Sequence, residues 1–159
     1  MACEPQISFT DAAFHAGPGA DLLQAMRDEL RGLYDGLDVD DPSMPRAGAA
    51  ELAPPHGAIR VGRIDGELVC VGAIKRLDEQ TCELKRMYIV PVWRGRGVLR
   101  RLLHELEDTA RRLGYTVARL DTGPRQSRAQ WLYEHEGYRA IENFNGNPVA
   151  CFWGEKPLR

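Results

Sequence analysis

Residues 88–103, YIVPVWRGRGVLRRLL, constrain the fold more than any other part of the chain. An apolar, β-compatible run stops at Pro91, which has no N–H to give to a sheet ladder. Gly95 and Gly97 then open a turn. Beyond it Leu99, Leu102, Leu103, Leu106, Ala110 and Leu113 recur at helical spacing until Gly114 closes the helix. A strand that turns directly into a helix points the first helical N–H groups, which lack intrahelical partners, at whatever lies beyond the strand end. Arg94, Arg96, Arg100 and Arg101 add charge suited to phosphate oxygens. On the two glycines alone, a tight turn with solvated arginines is the simpler reading. A Walker A loop is excluded because no Gly-Lys-Ser/Thr follows, and a dinucleotide fingerprint fails because Arg100 stands where its third glycine would be.

The flanking sequence supplies the rest of the layer. Leu22, Leu23, Met26, Leu30 and Leu33 predict an amphipathic helix over 21–36. Residues 38–57 are rich in Asp, Pro, Ala and Gly and predict a long loop. Two β runs flank Asp65-Gly66, a hairpin dipeptide, and TCELKRMYIV predicts a third strand beside them. YTVARLDT reads as a strand, Pro124 as the start of a short helix carrying Ala129, Leu132 and Tyr133, and Gly137 as its stop. YRAIENF and VACFW read as closing strands around the turn at 145–148. The expected fold is an α/β layer: a mixed, mostly antiparallel sheet with helices on both faces. A length of 159 residues suits one domain, 1–159, with one core.

Composition narrows the function classes. With 21 basic residues against 23 acidic ones the net charge is -2, so the basic excess of a nucleic-acid binder is missing and no such partner is expected. No apolar run is long enough for a membrane span. Cys3, Cys70, Cys82 and Cys151 form no C-x-x-C pair and follow no leader-like start, which predicts free thiols in a reducing cytoplasm. His104-Glu105 lacks the second histidine of a zinc helix, so no metal is expected. A homodimer is compatible with the sequence, which does not require one.

ELKRMYIVPVWRGRGVLRRLLHELEDTARRLGY, followed by LDT and AQWLYEHEGYR, resembles the GNAT superfamily of acyl-CoA-dependent N-acyltransferases. The resemblance runs most specifically over residues 61–138. The family's pyrophosphate loop, Arg/Gln-x-x-Gly-x-Gly/Ala, falls on Arg94, Gly97 and Leu99, with Leu99 departing from the pattern. Leu99 continues the apolar stripe and is expected to face the sheet.

By resemblance, the main chain at Met87, Tyr88 and Ile89 would hold the pantetheine arm. The amides of Gly95, Arg96, Gly97, Val98, Leu99 and Arg100 would hold the pyrophosphate, and Gln126 stands where many relatives place a cofactor-contacting asparagine. Tyr133 would protonate the thiolate of the leaving coenzyme, although a core tyrosine reads nearly as well from the residue alone. Glu83, and after it Asp121, would take the proton from the acceptor amine; each also has a plain reading as a partner of a neighbouring cation. The implied activity is transfer of an acetyl group from acetyl-CoA to a primary amine of a small molecule or protein by direct attack. The alternative is a non-catalytic acyl-CoA-binding domain. The acceptor is expected to contact the 38–57 loop and the 143–148 turn.

Overall fold

The computed structural model describes residues 4–159, so Cys3 lies outside the described residues. One seven-stranded sheet runs in the order β1-β2-β3-β4-β5-β7-β6. Its strands are β1 (Ser8–Asp11), β2 (Ala58–Ile64), β3 (Glu67–Arg76), β4 (Thr81–Ile89), β5 (Val117–Thr122), β6 (Arg139–Ala140) and β7 (Phe152–Pro157). Every neighbouring pair is antiparallel except β4 and β5, which are parallel. The parallel pair needs a crossover, and α2 (Val98–Arg112) supplies it. The mixed sheet with helices on both faces is therefore the architecture expected from the sequence.

Alternation along the strands sends side chains to two cores. On one face Leu102, Leu103, Leu106 and Ala110 of α2 pack against Cys70, Ile74, Cys82, Leu84, Ala118 and Leu120, joined by Tyr133 of α3 (Ser127–His135). On the other, Leu22, Leu23 and Met26 of α1 (Gly17–Leu33) cover Val61, Val71, Ala73 and Tyr88, together with Val39, Ala47 and Leu52 from the long loop. Gly72 lets α2 approach: a Cβ there would lie 2.7 Å from Leu106 Cδ1.

Several boundaries differ from the sequence reading. β1 was not expected, because SFTD is polar and mostly exposed and pairs only as an edge against β2. Helix α1 begins at Gly17 rather than 21, with Pro18 in its first turn. Pro124 does not start α3; the chain turns there and the helix begins at Ser127. The closing strands are also displaced. β6 keeps only Arg139–Ala140 of the expected YRAIENF, and β7 is Phe152–Pro157 rather than VACFW. The reason is pairing: β7 follows the register of β5, with Thr122 opposite Phe152 and Val117 opposite Pro157, so β5 sets its length.

Candidate active site

β4 and β5 are paired only at Thr81–Val117, Cys82–Ala118 and Glu83–Arg119. Beyond Glu83 the strands diverge, and the outer edge of β4 from Leu84 onward faces no strand. Two cavities open along this divergence. The larger, about 940 Å³, runs from the end of β4 past the glycine turn and the start of α2 to α3. The smaller, about 140 Å³, lies under α1 and the long loop, with Met26, Leu30, Leu37, Val39, Met44 and Pro45 as its apolar wall. Both are lined by Met87, Tyr88, Gln126 and Tyr133, so they meet there.

The glycine turn has the form the sequence suggested. Gly95 and Gly97 adopt φ of 74° and 77°, a conformation that strains an L side chain. No atom lies within 4 Å of where a Gly95 Cβ would stand. Among the described residues, none of the backbone N–H groups from Gly95 to Arg100 has a hydrogen-bond partner, and the first bond of this helix runs from Arg101 N to Gly97 O. These amides, at the positive end of α2, form a cradle that fits a pyrophosphate.

The arginines divide. Arg94 is engaged by Glu29 at 2.6 Å and by the Ile89 carbonyl at 3.0 Å, with its guanidinium over Tyr88. Arg100 is held by Glu136 at 2.7 Å, and Arg101 donates to the Pro5 carbonyl. Arg96 lies over Trp93 and forms no ion pair among the described residues. Val98 is the buried residue of this turn; Leu99 is half-buried, packing against the α2-side core while also lining the groove.

Tyr133 is buried at the junction, and among the described residues its hydroxyl has a single hydrogen-bond partner, Met87 Sδ, a weak acceptor at 3.8 Å. Burial, and then the negative charge of Asp121, push the phenol above its ordinary pKa. It therefore stays protonated, the state a proton donor needs.

Glu83 and Asp121 project on the α1 side of the sheet and share one amide. Asn145 Nδ2 donates to Glu83 Oε2 at 2.9 Å and to Asp121 Oδ2 at 2.7 Å, while Asn147 Nδ2 donates to Asp121 Oδ2 at 3.0 Å. Trp153 Nε1 donates to Asn145 Oδ1 and fixes that amide. Asp121 borders the small cavity, whereas Glu83 is 1% exposed, lies behind it, and is paired with Lys85 at 3.0 Å. Among the described residues Glu83 Oε1 has no hydrogen-bond partner. Gln126 Oε1 accepts from Tyr34 Oη and from Gly123 N and lines both cavities.

The asparagines Asn145 and Asn147 escape a sequence reading because Asn-Gly-Asn-Pro spells a turn. Val39, Met44 and Pro45 of the loop and Asn147 of the turn, the two segments expected to meet an acceptor, line the small cavity. Among the described residues no group of His, Cys, Asp and Glu could hold a metal, and no helix is long and apolar enough to cross a membrane.

Residues 20–138 match the acetyltransferase (GNAT) family. The uncharacterized N-acetyltransferase YjgM of Escherichia coli is 33% identical over 110 residues, 67% of this chain and 65% of that protein, so the chain spans just under two thirds of that relative. The IAA acetyltransferase of Azospirillum brasilense is 36% identical over 111 residues, 67% of this chain and 72% of that one. Among solved structures, a Klebsiella pneumoniae protein assigned as an acyl-CoA N-acyltransferase superposes with a TM-score of 0.77 at 30% identity, covering 96% of this chain and 98% of the other. A GNAT acetyltransferase from Elizabethkingia anophelis, solved with acetyl-CoA bound, shares the fold with a TM-score of 0.68 at 17% identity over 96% of this chain and 98% of that one.

Proposed function

The chain belongs to the acetyltransferase (GNAT) family, and from that premise we propose that it moves an acetyl group from acetyl-CoA to a primary amine by direct attack. The observation that carries this reading is the junction itself: a long groove and a small cavity that meet at Tyr133 and the end of β4. Acetyl-CoA would lie in the groove, with its pyrophosphate on the free amides of 95–100 and its pantetheine arm along the unpaired edge at Met87, Tyr88 and Ile89. Bound there, it supplies a thioester carbonyl to the amine.

The amine enters from the small cavity. Asp121, the nearer carboxylate, accepts the proton that the ammonium must lose before attack, with Glu83 behind it on the shared Asn145. The amine nitrogen then bonds to the acetyl carbon, the carbon–sulfur bond breaks, the nitrogen sheds its remaining extra proton to solvent to leave the amide, and Tyr133 gives its proton to the departing thiolate. The phenolate is reprotonated from solvent as the products leave.

Release of free thiol from acetyl-CoA across a panel of amines tests the reading, alongside calorimetric binding. Acetyl-CoA should bind with micromolar affinity, roughly -8 kcal/mol. Gly97→Asn should weaken binding, because asparagine tolerates the left-handed backbone but still places a side chain at the cradle. Gly97→Asp should abolish it by adding a charge that repels phosphate. Unchanged binding in folded Gly97→Asp overturns the groove assignment. Tight binding with no turnover for any amine makes the protein a non-catalytic acyl-CoA-binding domain instead.

A further inference from the structure

Side chains along β4 do not alternate without interruption. Cys82 and Leu84 belong to the α2-side core, so Glu83 and Lys85 face the α1 side. Farther on, Met87 and Ile89 pack on the α2-side core and Tyr88 on the α1-side core. The alternation therefore slips by one residue between Lys85 and Met87, and the register agrees: Val71 pairs with Tyr88 but Ala73 with Lys85. Arg86 is the extra residue. Its φ of 55° is one that glycine adopts freely and arginine does not. The bulge turns Arg86 to the same side as Lys85, into the lining of the small cavity.

The guanidinium is a poorly matched charge. Arg86 is 8% exposed along its side chain, and its one hydrogen bond among the described residues runs from Nη2 to Asp40 Oδ1 at 3.4 Å. Asp40 is already held by Arg27 Nε at 2.7 Å, so two guanidinium groups share one carboxylate. Burial lowers the pKa of Arg86, against the opposing charges of Asp40, Glu83 and Asp121 and with the help of Arg27. Arginine nevertheless remains charged in proteins.

The other charged groups lining the cavity are Glu29, Lys85 and Asp121. Glu29 is taken by Arg94 and Lys85 by Glu83. Arg86 thus stands as the cation with the weakest partner, and a buried charge of that kind favours an anion that fills its fork.

We propose that Arg86 receives a carboxylate of the acceptor, so that the substrates are amines with an apolar body and an anionic end, apolar amino acids among them. The assignment rests on the small cavity being the acceptor site. Asp121 and Tyr133 attend the amine, Arg86 the carboxylate, and the wall of Met26, Leu30, Leu37 and Val39 the carbon skeleton. Opposite charges at the two ends suit a zwitterion, and a buried fork left unpaired rejects the analogue that lacks the anion.

The test is calorimetric binding to the CoA-saturated protein of N-acetyl-L-leucine, N-acetyl-L-phenylalanine and 6-acetamidohexanoate, each against its carboxamide. Wild type should bind at least one acid about tenfold or more tighter than its amide. Arg86→Gly, which suits the left-handed backbone, should erase that difference while leaving amide binding unchanged, and Arg86→Lys should keep part of it. Equal binding of acid and amide by wild type, or no acid binding at all, overturns the proposal. Equal weakening of both by Arg86→Gly also overturns it, and makes Arg86 a fastener of the 37–45 loop through Asp40. Failure of the acetyltransferase reading looks different: acids would still be preferred, but none of the corresponding free amines would release CoA from acetyl-CoA.

Discussion

Tyr133 and Asp121 are the proposed proton donor and proton acceptor, and each role makes a prediction. Tyr133→Phe removes a proton donor whose hydroxyl makes no strong hydrogen bond, so packing should survive. Turnover should fall about 10²-fold with acetyl-CoA affinity nearly unchanged, as steady-state kinetics and calorimetry would read. Turnover within a factor of two would return Tyr133 to a packing role. For the base, an amine of pKa near 10 is almost wholly protonated at pH 7 and loses that proton unaided as pH rises. Asp121→Asn should therefore cut kcat/KM most at neutral pH and recover toward pH 10. Glu83→Gln, which perturbs Asn145 from behind, should cause a smaller loss of similar size at every pH. The reverse pattern in the two pH profiles would make Glu83 the base. Tyr133, Glu83 and Asp121 were singled out in the sequence through the family resemblance, and the structure brings Tyr133 and Asp121 to the small cavity with Glu83 buried behind it. Arg86 was not, because alternation read from sequence assigns it to the α2 side and only pairing with β3 creates the bulge.

Among the elements, α2 does the most to hold the two halves of the sheet together. It packs on β3 and β4 and is tied to β7 by Glu107, a buried carboxylate. Lys156 Nζ lies 3.1 Å from both Glu107 oxygens, and Tyr138 Oη donates to Glu107 Oε2 at 2.7 Å. Burial first, and then Glu107, push the Tyr138 phenol far above its usual range, so it remains a donor. Lys156→Met should destabilise the protein by about 3 kcal/mol, since it leaves a carboxylate buried without its cation. Adding Glu107→Leu should restore most of that loss, and urea unfolding of the two variants would read the difference. A single variant as stable as wild type would show that the tie carries no weight. The helices and the central strands were readable because leucine spacing and the Asp-Gly hairpin are local signals. β1, β6 and β7 were missed or displaced because their limits come from partners distant in sequence, as with Phe152 against Thr122.

For the molecule as a whole, the proposed reaction places donor and acceptor together in two cavities that share Met87, Tyr88, Gln126 and Tyr133. Direct transfer should then give intersecting double-reciprocal lines when both substrates are varied; parallel lines would mean an acetylated enzyme. The thiols of Cys70 and Cys82 are poor carriers for such an intermediate, because burial pushes both up to about 12. Cys151→Ala, at an exposed site, should leave the kinetic pattern intact. The divergence of β4 from β5 has a further consequence, for self-association. An unpaired strand edge is a template on which another sheet can grow, and proteins ordinarily keep such edges short, as the four residues of β1 and the two of β6 are here. The edge of β4 is longer but sits inside a groove flanked by the end of α1, the start of α2 and α3. Those walls act as a size filter: a single extended chain can lie along the edge, while a second sheet, too wide to enter, finds nothing to add to.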